Sequence, residues 1–341
     1  MKHLTLDPDH TLPATRDFPT AATVPDALPD ARETKVHPSD AGGENARLLF
    51  VGTATTILYV SLVELWVVLG GREGDNFLHA GDHVHLGPGV TGTRRTNPAV
   101  DLHDLPRIDL ICLSHYHADH FDQHVEASLR RDLPIITTPH AKSHLASASK
   151  DPGEAFTAVH DLDFFDECLV GIAGKEAAIK VTGMPGKHVP PGPGGVAGKM
   201  NDLLGAVPPT NGWMLELGHG SSESAFRPGY RIYVSGDTLL VPELAEIPTR
   251  YPHVDLMLVH LGGTTIPSPS VPLLMVTMDA EQGVKLVQMI GPDLTIPIHY
   301  DDYDVFLSPL SDFKKAMEEA GLGDKVVYLD RKDAYRFRVK D

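Results

Sequence analysis

Apolar residues along this chain fall into short runs rather than long amphipathic stripes. Arg47 to Val51 and Thr55 to Val60 are β-branched and apolar, are parted by Gly52, and predict a hairpin or consecutive strands. Ile108 to Leu113 is a continuous apolar run that predicts a buried strand leading straight into Ser114 and His115. Phe121 to Arg131 has a helical pattern, Pro134 to Thr137 a strand pattern, and His140 to Ser149 a second helical one. Cys168 to Ile172, Ala177 to Thr182, Trp213 to Leu217, Tyr230 to Val234, Val254 to Val259 and Leu294 to Ile298 all read as strands. Asp279 to Ile290 carries apolar residues at 280, 284, 287 and 290, a helical stripe. Ser308 is placed to cap a helix with Pro309 in its first turn and Gly321 at its end, and Lys325 to Leu329 and Ala334 to Val339 are strand-like. Strands in runs, later alternating with helices, predict a layered α/β fold with helices outside packed sheets.

Two stretches break this rhythm. Residues Met1 to Glu44 are rich in Pro, Asp, Thr and Ala without a period, and predict an extended arm (1–44) ahead of one large domain (45–341). Gly183 to Gly212 is dense in Gly and Pro, so no regular element is expected through it.

Charge narrows the partners. With 29 basic against 46 acidic residues the net charge is −17, which repels phosphate backbones and anionic headgroups, so no nucleic acid is expected. The longest apolar stretch, Ile57 to Gly70, is interrupted by Glu64 and falls short of the ~20 residues that span a bilayer. Neither a secretory signal nor stable membrane insertion is expected, and the two cysteines, Cys112 and Cys168, sit in apolar runs as buried thiols. The reading is a soluble cytoplasmic protein acting on a small-molecule substrate.

The chemistry concentrates where the Ile108 strand ends. His115, His117, Asp119 and His120 are four potential metal ligands within six residues. Alternate residues of an extended segment point the same way, so His115 and His117 can reach one ion, while Asp119 and His120 fall in the following turn and can reach a second. Further candidates lie after strands: His188 beyond Thr182, Asp237 in Ser-Gly-Asp-Thr, and His299 in Ile-Pro-Ile-His-Tyr. His260 ends another strand and is a candidate for a supporting, substrate-contacting or general-acid role. His79, His83 and His85 read as a polar loop or as part of the pocket mouth, and His140, His144, His160 and His253 as surface residues.

The run His-Tyr-His-Ala-Asp-His resembles the HxHxDH signature of the metallo-β-lactamase superfamily, and His188, Asp237 and His299 match its later landmarks in order. The phrases Tyr-Val-Ser-Gly-Asp-Thr and Pro-Ile-His-Tyr look most like the branch holding ascorbate-phosphate lactonases and N-acyl-phosphatidylethanolamine phospholipase D. The resemblance implies a four-layer αββα sandwich. It implies one metal on His115, His117 and His188, a second on Asp119, His120 and His299, and Asp237 between them. Two divalent ions are expected, zinc first, with manganese or iron as alternatives. One departure stands out: Val60 to Gly74 lacks the usual Thr-Asp-Pro-like turn, and reads either as a divergent strand or as an insertion that damages the first hairpin.

In such a centre a metal-bridging hydroxide attacks a carbonyl carbon or phosphorus, with Asp119 as proton shuttle. The first expectation is hydrolysis of a lactone or lactam. The alternatives are phosphodiester hydrolysis of N-acyl-phosphatidylethanolamine type and a non-catalytic, metal-stabilised binding protein. Val189 to Val207 is expected to shape the substrate pocket, with Lys199 near an anionic group.

Overall fold

A computed structural model describes residues 1–8, 12–16, 24–61, 65–69, 79–87, 90–117, 120–121, 123–189, 207–220, 222–268 and 271–340. In chain order its elements begin with strands β1 (Lys2–Leu6), β2 (Thr34–Val36), β3 (Ala46–Gly52), β4 (Thr55–Val60), β5 (Leu65–Leu69), β6 (His83–Gly87), β7 (Val90–Thr93) and β8 (Leu110–Cys112). Then come α1 (Gln123–Ser128), β9 (Ile135–Thr137), α2 (Pro139–Leu145), β10 (Val159–Asp161), β11 (Glu167–Ile172), β12 (Ala177–Met184), β13 (Gly212–His219) and β14 (Arg227–Val234). The last third holds α3 (Glu246–Arg250), β15 (Leu256–His260), β16 (Thr265–Ser268), β17 (Val271–Met275), α4 (Ala280–Ile290), β18 (Leu294–Ile298), α5 (Leu310–Glu319) and β19 (Ala334–Phe337).

Two large sheets result. One has the order β1-β11-β12-β13-β14-β15-β18, the other β10-β9-β8-β5-β4-β3-β19-β2. Side-chain alternation along each strand decides the layering. Leu48 and Phe50 of β3 face the same core as Leu256 and Leu258 of β15, so this core lies between the sheets. The intervening Leu49 and Val51 turn the other way, into a second core with Val125 of α1 and Ala141 and Leu145 of α2. Met257 and Val259 likewise turn outward, onto Val284, Leu286 and Val287 of α4 and Phe313 and Met317 of α5. Both faces of each sheet are therefore covered, which explains why the strands read as continuous apolar runs. Helices outside and two sheets inside make the expected αββα sandwich. Each fully buried Leu or Val contributes about 1.5–3 kcal/mol to holding it.

The local signals for α4 are met in full. Asp279 Oδ1 accepts the Gln282 N–H at the N-cap, and Gly291 closes the helix in the left-handed conformation at φ 63°. Elsewhere the structure corrects the reading. The first helix is only Gln123–Ser128, because the N-terminal arm captures the backbone beyond it: Arg130 N donates to Ala14 O and Arg16 N to Ser128 O. The second helix stops at Leu145, whose carbonyl accepts from Phe156 N. Ser308 is not the cap of α5; that position is Pro309, and the Ser308 hydroxyl instead accepts the Ala280 N–H of α4. Val326 makes a single bridge to Thr295 rather than starting a strand over 325–329. His83 and His85 lie in a strand, β6, paired with β7 rather than in a loop, and β16 pairs with β17 in a second hairpin.

The arm is not separate from the sheets. β1 adds parallel to β11 and β2 parallel to β19, at one edge of each sheet. The unusual segment after β4 is a strand over Leu65–Leu69, set between β4 and β8 inside its sheet. Residues 62–64 and 70–78 lie outside the described residues. Cys112 and Cys168 are both buried free thiols. Among the described residues no helix is long and apolar enough to cross a membrane.

Candidate metal centre

β14, β15 and β18 run parallel, with Val234, Leu258 and Ile296 in register. Their C-terminal ends therefore finish together and deliver Asp237, His260 and His299 to one edge of the sandwich. β8 reaches the same edge from the other sheet, where Asn211 N donates to Ser114 O at 3.1 Å and ties the two sheets beside His115. Pockets outside the carboxyl ends of parallel strands are the usual place for ligands in such sheets. Beyond β12, Lys187 N donates to the Thr238 hydroxyl at 2.9 Å and Leu239 N to Lys187 O at 2.9 Å. These two bonds hold the His188 segment against the Asp237 turn. The turn needs its glycine: Gly236 sits at φ 64°, and a Cβ there would clash with the main-chain oxygen of Asn211.

Two groups of donors converge. His115, His188 and Asp237 form one, and His120, Asp237 and His299 the other; within each the ligand atoms lie within 4.8 Å of one another and all are buried. Asp237 belongs to both. Its Oδ2 is 2.8 Å from His120 Nε2 and 3.4 Å from His299 Nε2. The opposite nitrogens of His188, His299 and His115 are held from behind. His188 Nδ1 donates to Val276 O at 2.6 Å, and His299 Nδ1 donates to Leu261 O at 2.9 Å. A carbonyl only accepts, so both rings carry their proton on Nδ1 and keep the Nε2 lone pair for the centre. His115 Nδ1 meets the Ser114 hydroxyl at 3.0 Å.

The residues present fit a cation. Among the described residues His115 Nε2 and Asp237 Oδ1 are buried with no hydrogen-bond partner, an arrangement that costs about 1–3 kcal/mol per atom unless something positive fills the space between them. Electrostatics agree. Burial alone would raise the Asp237 carboxyl, but His120, His299 and His188 around it outweigh burial and hold it well below the usual carboxylate range. Burial, with His120 and His188 nearby, pushes His115 well below the ordinary imidazole value. One carboxylate and neutral imidazoles are the forms that ligate a divalent ion.

Five of the seven residues proposed as ligands from sequence thus come together: His115, His120, His188, Asp237 and His299. His117 is half-buried and stands beside them, its ring 6.0 Å from that of His115, outside both groups. Asp119 lies outside the described residues, as do 190–206, which include Lys199 and most of the predicted pocket loop. His260 is fully buried behind the centre, its ring 5.7 Å from His299 and its Nδ1 3.3 Å from the Ser235 hydroxyl. Burial pushes its imidazole down to about 3. His253, expected only as a surface residue, is exposed and 3.1 Å from Asp255.

Sequence reasoning missed the supporting shell. The carbonyls of Val276 and Leu261 have no side-chain signature. Thr53 and Asp302 sit behind His299: His299 N donates to Thr53 O at 2.5 Å, and Thr53 N donates to Asp302 Oδ2 at 2.7 Å. The ring of Phe306 lies 4.6 Å from His299.

The chain is 25% identical over 231 residues to a metal-dependent hydrolase from Archaeoglobus fulgidus, which covers 68% of this chain and 83% of that protein. Among solved structures it resembles an isothiocyanate hydrolase from Delia radicum gut bacteria, with a TM-score of 0.64 at 18% identity, over 86% of this chain and all of that one. A metallo hydrolase from the archaeon Ignicoccus hospitalis superposes with a TM-score of 0.54 at 17% identity, covering 86% and 99% of the two chains. CmlA, a diiron β-hydroxylase from Streptomyces venezuelae, superposes with a TM-score of 0.51 at 14% identity, over 88% of this chain and 55% of its own. These likenesses establish the fold, and the presence of a hydroxylase among them shows that the fold alone does not choose the reaction. The model of the beta-lactamase superfamily domain matches residues 83–300, well over half of the chain and a span holding all the donors described above. The protein belongs to the beta-lactamase superfamily.

Proposed function

We propose that this protein is a metal-dependent hydrolase of small molecules, and that its substrate is a cyclic ester or amide, a lactone or lactam. The observation that carries the reading is the pair of buried donor groups sharing Asp237. Two groups joined by one carboxylate suit two divalent cations side by side, and zinc suits a set of imidazole and carboxylate donors. We assign His117 and Asp119 to the same set by their place in the motif. When bound, such cations supply a hydroxide near neutral pH and polarise the bond it attacks.

The protein's own part is to hold that chemistry still. Val276 and Leu261 fix the tautomers of His188 and His299, and the Lys187–Thr238 bond keeps His188 beside Asp237. Asp119 is the candidate to carry the proton from attacking water to leaving group. His260 is neutral in its buried position, so its part is to support the site as a hydrogen-bonding ring rather than to act as an imidazolium acid.

A net charge of −17 supports a neutral cyclic substrate over a phosphodiester or an anionic lipid surface. A panel of lactones, lactams and bis-p-nitrophenyl phosphate, assayed with and without added zinc, manganese or iron, tests this. Metal-dependent opening of the cyclic esters or amides is expected. Cleavage of the phosphodiester alone would replace the substrate assignment and leave the hydrolase, and no turnover with any substrate and any metal would favour a binding protein.

A further inference from the structure

Behind the metal centre lies a buried carboxylate that belongs to neither donor group. Asp302 is fully buried. Its Oδ2 accepts the Thr53 N–H at 2.7 Å, and its Oδ1 accepts from the Thr96 hydroxyl and pairs with the Arg331 guanidinium. Arg95 N donates to the Asp302 main-chain oxygen at 2.8 Å, so the residue is fixed at backbone and side chain alike.

Thr53 lies in the two-residue turn between β3 and β4, where Gly52 pairs with Thr55. It adopts φ 47°, in the left-handed region that a β-branched residue rarely enters. His299 is also left-handed, at φ 61°, and its N–H donates to Thr53 O at 2.5 Å. Two non-glycine residues in this conformation, joined by one hydrogen bond, persist only where their surroundings over-determine them. Asp302 supplies that constraint: it grips the N–H of the same residue whose carbonyl grips His299.

We propose that Asp302 is a positioning residue for the metal centre, clamping the Thr53 peptide so that Thr53 holds His299 in the backbone conformation that aims its ring at Asp237. The proposal rests on the reading of this site as a metal centre. The chain of contacts is Asp302 to Thr53 to His299 to Asp237, and Asp302 acts only through the middle two.

The test is zinc affinity of the full-length protein, measured by competition with a chromophoric chelator, together with KM and kcat on whichever panel substrate is turned over. Asp302→Asn is expected to weaken one of two zinc equivalents by about 10–100-fold, and to lower kcat by a similar factor with KM changed less than about twofold. Asp333→Asn is the comparison. Asp333 is also a buried carboxylate, and its carboxyl bonds run to Asp330 N at 2.8 Å and to Arg32 rather than to Thr53 or His299. It is expected to lower thermal stability while zinc affinity stays at the wild-type level. If Asp302→Asn binds zinc as tightly as wild type, or if Asp333→Asn loses affinity equally, the positioning role is overturned and the metal centre stands. If wild-type protein binds no zinc, manganese or iron, both readings fall. Should Asp302→Asn not fold, Thr96→Val, which keeps the carboxylate but removes one of its anchors, is expected to weaken one zinc equivalent several-fold; unchanged affinity there also overturns the proposal.

Discussion

Asp237 Oδ2 lies 2.8 Å from His120 Nε2, a carboxylate and an imidazole paired in a place sealed from water. A buried carboxylate paired in this way is weak support for a fold, because desolvation offsets most of its attraction. Its value is to hold a negative charge where a cation is to sit. Asp237→Asn removes this buried charge and keeps its shape and a hydrogen-bonding group, so the metal-free protein is expected to stay as stable as wild type within about 1–2 kcal/mol. The stabilisation by added zinc, about 4 kcal/mol at a thousandfold excess over Kd, should vanish. Thermal denaturation with and without zinc checks this; an undiminished zinc-induced shift in the variant would remove Asp237 from the centre.

Leu69→Ala tests whether β5 is a working part of the sheet. Leu69 is fully buried between the sheets and pairs with Thr56 and Cys112 on either side. Truncation in such a place costs about 2–5 kcal/mol. Chemical denaturation should show that loss, whereas a loss below about 0.5 kcal/mol is the size expected for an ornamental surface segment.

His260→Gln separates support from acid catalysis. The imidazole is pushed down to about 3 by burial, so its cationic form is gone well below the working range. The acid limb of the pH–rate profile should keep its midpoint in the variant even where kcat falls. A midpoint that moves or disappears would make His260 the titrating acid.

Asp161 ties the start of the chain to the body. Lys142 and Lys2 lie 2.8 and 3.0 Å from its carboxylate, and Lys142 first, then Lys2, hold it below the usual range against the effect of burial. A depressed carboxylate contributes stability above its unfolded pKa of roughly 3.9, and the contribution fades as pH falls through the lower folded value. The groups are partly exposed, so about 0.5–1 kcal/mol is expected after solvent screening. Asp161→Asn should lower Tm at pH 7 and converge on wild type in strong acid; an equal difference at both extremes would rule out the charge as the cause.

The strands that carry the site were readable because their sides both face apolar cores, which leaves a continuous apolar run ending abruptly at a His or Asp. That is how His115, Asp237 and His299 could be picked out, and why His120 followed from the turn after β8. His188 was placed by strand end and motif together, since irregular chain separates it from β12. The N-terminal strands β1 and β2 were hidden because edge strands need little apolar character, and their pairing partners lie far along the chain. The helix after the motif was overestimated because its periodicity continues past Ser128, where Ala14 and Arg16 take over the backbone bonds. Thr53 and Asp302 gave no local signal at all: a threonine with positive φ and an aspartate in an acidic run acquire meaning only when the fold brings β4's turn against the end of β18.

Metal content of the purified, active protein tests the central claim most directly. After reconstitution with zinc and removal of excess metal, elemental analysis should approach two equivalents per chain, and activity should rise in step with loading up to two. Full activity with a single equivalent bound would contradict a centre built from two donor groups on one shared aspartate.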